Sequence, residues 1–196
     1  MKLVLASKNQ KKLVEMRDIL SHMGVEVCLQ SDVGVDVDVE ETGTTFEENS
    51  LLKARAVMEA SGLPAIADDS GLCVDALGGA PGVYSARYGG PGLDDVGRYR
   101  LLLENMKGQP RGAKFVSVIT CCFPNGDVLT ARGECPGTIA FAPMGEGGFG
   151  YDPVFFIPSL KKTFAQLTPE EKNAISHRGV ALRAFGEKLK EYMENH

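Results

Sequence analysis

Two apolar-rich runs, Lys114 to Phe123 and Val128 to Glu134, are separated only by Pro124-Asn125-Gly126-Asp127. An Asn-Gly pair readily adopts the left-handed backbone of a tight hairpin turn, so these runs are expected to form adjacent antiparallel strands. The first third of the chain reads differently. Lys2 to Ala6 is a short strand, and Leu13, Met16, Leu20 and Met23 fall on one helical face that Gly24 terminates. Val25 to Leu29 is a second strand, followed by an acidic loop from Asp36 to Gly43.

A further helix is expected from Thr44 or Thr45, with Glu47 or Glu48 completing a capping box, as far as Gly62-Leu63-Pro64. Pro64 to Ala67 reads as a brief strand that gives way to a loop at Asp68-Asp69-Ser70-Gly71, a common setting for active-site groups. Asp94 or Asp95 caps a helix that Gly108 ends, Val154 to Ile157 is another strand, and Thr168-Pro169-Glu170-Glu171 opens a helix. The last helix carries Leu182, Phe185, Leu189 and Tyr192 on one face. The expected architecture is mixed α/β over one domain, residues 1–196, in which a parallel first part meets an antiparallel hairpin as two lobes around a cleft.

With 43% apolar and 24% charged residues the chain is composed like an ordinary globular protein. Its N-terminal apolar stretch is too short for a secretion signal, and no run approaches the roughly 18 residues that a membrane span needs, so a cytoplasmic protein without a membrane partner is expected. Five cysteines without a C-x-x-C spacing suit neither a disulfide framework nor a zinc site. A net charge of -5 argues against nucleic-acid binding, which needs a clustered basic surface, but leaves room for a small anionic ligand in a local basic pocket.

Gly145-Glu146-Gly147-Gly148-Phe149-Gly150 satisfies G-x-G-x-x-G. That dinucleotide fingerprint works when a helix follows, and here Tyr151-Asp152-Pro153 and a strand follow instead. The stretch can still approach a ligand, since its glycines leave amides uncovered and Phe149 and Tyr151 offer flat faces for a base. Asp68 and Asp69, with Glu40 and Glu41, supply the hard oxygen donors that magnesium prefers. Asn49 and Lys53 lie four residues apart in a stripe with Phe46, Ala56, Val57 and Ala60, so a polar pair faces inward. Ser7-Lys8-Asn9-Gln10-Lys11-Lys12, between a strand and a helix, favours an anion. His177 and Arg178, between two helical stretches, offer directional donors for an oxygen atom.

Taken together these segments resemble the inosine triphosphate pyrophosphatase family. The resemblance rests on Ser7-x-Asn9-x-x-Lys12, Glu40-Glu41-Thr42-Gly43-x-Thr45-Phe46, Glu48-Asn49-x-x-x-Lys53-Ala54 and Ala67-Asp68-Asp69-Ser70-Gly71-Leu72. It continues through Gly79-Ala80-Pro81-Gly82-x-x-Ser85-Ala86-Arg87, Gly147-Gly148-Phe149-Gly150-Tyr151-Asp152-Pro153 and Ser176-His177-Arg178-Gly179. Lys8 departs from the family, which usually has a small or neutral residue there.

The resemblance implies a long central mixed sheet with flanking helices, a homodimer, and magnesium-dependent hydrolysis of non-canonical purine nucleoside triphosphates (ITP, dITP, XTP) to monophosphate and pyrophosphate. It implies Asp69 as general base, Glu40 and Asp69 with the metal, and Glu41 and Asp68 in support. Ser7, Lys8, Asn9, Gln10, Lys11, Lys12, Lys53 and Ser70 would hold phosphates and sugar. Phe149, Gly150, Tyr151, Asp152, Lys172, His177 and Arg178 would form the base-side pocket. Two other readings stand beside it: a septum-inhibitor-like nucleotide pyrophosphatase, and a nucleotide sensor without catalysis.

Overall fold

A computed structural model describes residues 1–196. In chain order its elements are β1 (Lys2–Leu5), α1 (Gln10–Ser21), β2 (Glu26–Leu29), α2 (Phe46–Ser61), β3 (Ala65–Val74) and α3 (Asp95–Asn105). They continue with β4 (Gly112–Cys122), β5 (Val128–Ile139), β6 (Phe155–Ile157), β7 (Lys162–Thr163), α4 (Pro169–Ile175) and α5 (His177–Glu194). The seven strands form one mixed sheet in the order β2-β1-β3-β4-β5-β6-β7. β1 pairs in parallel with β2 and β3, whereas β6 is antiparallel to β5 and β7. The turn from β4 to β5 closes as expected, with Phe123 N–H donating to the Asp127 carbonyl at 2.9 Å and Gly126 at φ +96°. No helix is long and apolar enough to cross a membrane.

The chain divides into two compact units: residues 1–69, 117–133 and 177–196 form the first, and residues 70–116 and 134–176 the second. In the first unit the two-residue period of the strands sorts side chains into two cores. Leu3, Leu5 and Ile66 join Ile119, Leu13, Met16, Leu20 and the α5 residues Leu182, Phe185 and Leu189. Val4, Ala6, Ala65 and Ala67 join Ala54 and Val57 of α2 with Cys122. Thus α1 and α5 cover one face of the strands and α2 covers the other. Each fully buried Leu or Phe stabilises this arrangement by about 1.5–3 kcal/mol.

Local signals place the helix starts. Thr45 caps α2 by accepting from Glu48 N–H at 3.1 Å, while Glu48 reaches back to Thr44 N–H, one residue before the expected box partner. Thr168 and Glu171 form the reciprocal box of α4. The inward stripe of α2 differs from its sequence reading, because Ser50 and Ala54 are buried while Ala60 is exposed. Met23, beyond the end of α1 at Ser21, is 39% exposed.

The second unit is built on an aromatic cluster. The Phe115 ring lies 4.5 Å from that of Phe155 and 5.6 Å from that of Phe164, between centroids, and Leu72, Val74, Leu102 and Met106 complete the packing.

One glycine fixes how closely α5 approaches β5. A Cβ on Gly133 would fall inside contact distance of the His177 carbonyl oxygen and the Ala181 nitrogen, both backbone atoms. Gly133→Ala therefore forces the first turn of α5 away from the strand. Urea unfolding should show a loss of about 2–3 kcal/mol; an unchanged midpoint would mean that the helix shifts without cost.

Candidate active site

Asp68 and Asp69 lie inside β3, which continues beyond them through Ser70 to Val74, and not at the junction of strand and loop that the sequence suggested. Because they are consecutive on a strand, they point to opposite faces. Asp68 follows the register of Ile66 and faces α1 and α5; Asp69 follows Ala65 and Ala67 and faces α2. Their side chains are only 0% and 6% exposed, so each carboxylate needs partners from the helix on its own side.

On the first face, Asp68 Oδ2 is 3.1 Å from Lys12 Nζ of α1 and accepts from Arg178 Nη2 of α5 at 3.1 Å. Its other oxygen accepts from the Ser117 hydroxyl. Arg178 also pairs with Glu15, one turn beyond Lys12. Burial by itself would push the Asp68 carboxyl up, but Arg178, Lys12 and the Ser117 hydroxyl outweigh it and hold the group well below the usual carboxylate range. Lys12 shows the opposite balance, since burial lowers its pKa despite Asp68. Arg178, placed by the sequence with the base, pairs with two carboxylates of the first unit, and His177 beside it is buried at the start of α5.

On the second face, Lys53 Nζ of α2 donates to the Asp68 carbonyl at 2.8 Å and to Asp69 Oδ1 at 3.2 Å, and lies 3.3 Å from Glu41 Oε1. Asp69 Oδ2 is buried and accepts no hydrogen bond. Burial pushes the Asp69 carboxyl up to about 6; Lys53 opposes this, and Glu41 and Asp68 add to it. Asn49, the other polar residue of that helix face, has a different task. Its amide oxygen accepts from Gly43 N–H at 2.8 Å, fastening the loop that carries Glu41 onto α2.

Of these groups Lys12, Glu41 and Lys53 line a pocket of about 200 Å³, together with Ser7, Lys8, Gln30 and Asp38; Asp69 reaches it through its partner Lys53. Residues from three separate sequence segments are thereby brought together. Asn9 is not in that lining. It caps α1, accepting from Lys11 N–H at 3.0 Å and Lys12 N–H at 3.2 Å, so the amides expected to meet an anion are met by the protein's own side chain. Gln10 and Lys11 are exposed, and Lys8 forms an exposed pair with Asp36.

The donor set suits a hard divalent cation: Asp69 offers a buried oxygen with no hydrogen bond, and Glu41 stands beside it, joined through Lys53. Glu40 is exposed on the same loop. No group of three or more His, Cys, Asp or Glu gathers in a ligating array, so a metal here would complete its shell with water and ligand oxygens, the habit of magnesium.

In the second unit, the glycine-rich segment has occupied amides, contrary to the sequence reading. Gly147 N–H donates to the Ala165 carbonyl, Phe149 N–H to Asp152 Oδ2 and Gly150 N–H to Asp95 Oδ2. Asp152 is buried against Lys172 at 2.6 Å, and the Lys172 ammonium lies 4.8 Å from the Phe149 ring centroid. Gly148, at φ +69°, has Asp152 Oδ2 where a Cβ would stand. Tyr151 is buried in the aromatic core with its hydroxyl on the Ser85 carbonyl, which leaves the half-buried Phe149 as the accessible ring of the pair. Ser70 is half-buried in β3. The sequence does not assign Glu15, Asn49 and Ser117 these roles; Glu15, one helical turn after Lys12, and Asn49, one turn before Lys53, carry a local signal, and Ser117 has none.

A family model described as the Ham1 family matches residues 3–188. The chain is 50% identical over 194 residues to the dITP/XTP pyrophosphatase of Escherichia coli strain K12, covering 96% of this chain and 98% of that protein. It is 49% identical over 193 residues to the dITP/XTP pyrophosphatase of Thermus thermophilus, covering 97% and 93%. Among solved structures, a HAM1 protein from Coxiella burnetii is similar at a TM-score of 0.89 and 44% identity, over 97% of this chain and 99% of that one.

The raised pKa of Asp69 predicts a pH-dependent effect on stability. An acid that holds its proton more tightly when folded is least costly below about pH 4, and the cost grows as pH rises toward 6. Asp69→Asn should therefore raise the unfolding free energy at pH 7 by about 2 kcal/mol, with the gain shrinking below pH 4. Denaturant titrations at pH 4 and pH 7 check this; equal differences at both would contradict it.

Proposed function

The chain belongs to the Ham1 family, and from that premise we propose that it hydrolyses non-canonical purine nucleoside triphosphates, dITP, XTP and ITP, to the monophosphate and pyrophosphate. The relatives named for pyrophosphatase action on dITP and XTP support the substrate class. The observation that carries the reaction is the environment of Asp69: a carboxylate held near pKa 6, beside the pocket that Lys12, Lys53 and Ser7 line.

At neutral pH Asp69 is mostly ionised yet basic enough to take a proton from water as that water attacks phosphorus. The bond broken lies between the α and β phosphates, so the products are the monophosphate and intact pyrophosphate. Lys12, Lys53 and the Ser7 hydroxyl would hold the chain of phosphates, the two ammonium groups offsetting charge on the leaving oxygens. Asp68 keeps the Lys12 ammonium at the pocket and Arg178 behind it, a supporting role.

Magnesium fits the same reading, with Asp69 and the Glu40-Glu41 loop as its side of the protein. When bound it would neutralise phosphate charge and lower the pKa of coordinated water. The resemblance also carries a homodimer acting in the cytoplasm.

Incubation with magnesium and dITP, XTP, ITP, GTP or ATP, each separately, should yield monophosphate and pyrophosphate from the first three in preference to the others. Release of orthophosphate from them would reject the reaction, and no turnover with any of the five would favour a sensor. With a preferred substrate, kcat/KM should rise with pH through an apparent pKa near 6, and Asp69→Asn should lower it by about 10²–10⁴-fold. A pH-independent rate or an active variant would remove Asp69 as the base.

A further inference from the structure

The Lys53 ammonium is held by three oxygens: the Asp68 carbonyl at 2.8 Å, Asp69 Oδ1 at 3.2 Å and Glu41 Oε1 at 3.3 Å. Its side chain is only 13% exposed, so these oxygens replace most of its water. A carbonyl and two carboxylates are also donors that a hard divalent cation seeks. Two cations sharing Asp69 and Glu41 at such distances would repel strongly in a partly buried site. They therefore compete.

We propose that Lys53 is a resident counter-ion, which occupies the Asp69–Glu41 carboxylates in the absence of metal and is released toward the phosphate pocket when a divalent cation takes them. The inference rests on the magnesium reading above and adds to it a direction of coupling. Lys53 lines the same pocket as Ser7 and Lys12, and its stem of four carbons lets the ammonium turn from the carboxylates to a phosphate without moving α2. Metal binding thereby frees a phosphate ligand, and a bound phosphate, by drawing Lys53 away, favours metal in return, since such coupling is reciprocal.

The resident ammonium also answers a problem of the protein without metal. Asp69 and Glu41 are like charges that both contact one ammonium, and α2 supplies it from a position whose neighbours Ala54 and Val57 fix the helix to the sheet. The competition is thus built from parts that the fold already holds in place.

The test is Mn²⁺ binding to the wild-type protein and to Lys53→Met without nucleotide, followed by calorimetry and by the electron paramagnetic resonance signal of free Mn²⁺. The variant should bind Mn²⁺ about tenfold more tightly. Equal or weaker binding by the folded variant overturns the competition while leaving the magnesium reading intact. No Mn²⁺ binding by either protein overturns that reading itself, and this inference with it.

Should Lys53→Met fail to fold, the wild-type protein decides alone. The rate of reductive methylation of Lys53, read by mass spectrometry, should rise several-fold on saturation with Mg²⁺, with Lys114, which pairs at the surface with Glu134, as the internal control. An unchanged Lys53 rate overturns release.

Discussion

The structure turns on placing two neighbouring carboxylates in the interior of one β-strand. Period-two alternation sends Asp68 and Asp69 to opposite faces of β3, so their carboxylates pair directly with different cations, and an unpaired buried charge would cost several kcal/mol. The three helices of the first unit meet this demand. α1 contributes Lys12 and α5 contributes Arg178 to one face; α2 contributes Lys53 to the other. The same packing that buries Leu13, Phe185 and Val57 therefore also delivers cations to the carboxylates, and the pocket inherits its charge from the fold.

The two faces differ in how fully they balance their acid, and that difference separates chemistry from support. Asp68 has two cations and a hydroxyl, and burial is more than compensated. Asp69 has one cation, shared with Glu41, and an oxygen that accepts nothing, so burial prevails. A carboxylate as firmly held as Asp68 is too weak a base to take a proton from water. Incomplete compensation is what leaves Asp69 basic, and it is tolerable only because the surrounding strand is anchored from both sides.

What could be read from the sequence was local. Caps, the Asn-Gly turn and helix faces depend on residues within a few positions, and Thr45, Thr168 and Gly126 sit where their neighbours indicated. β3 was cut short because Asp68 and Asp69 interrupt an apolar run, and a charged pair reads as a loop unless its partners are known. Those partners are remote: Arg178 is 110 residues from Asp68, and Ser117 is 49 away. The same limit hid the buried state of Tyr151, whose hydroxyl partner Ser85 lies 66 residues earlier. Motif resemblance brought Lys12, Lys53 and Asp69 together without showing their geometry, and it placed Arg178 on the base side without showing that its guanidinium pairs with Asp68 and Glu15.

The glycine-rich segment obeys the same logic on a smaller scale. The Gly147 and Gly150 amides are occupied within the protein, and the segment lets the backbone wrap a carboxylate. Gly148 leaves the room that Asp152 Oδ2 fills, Phe149 N–H binds that oxygen, and Lys172 neutralises it. The buried ion pair in turn sets a cation against the Phe149 ring, holding an aromatic face that would be mobile on a loop of glycines alone. In each unit, then, a buried carboxylate is the organising charge, and the groups exposed to a ligand are those that its compensation fixes in place.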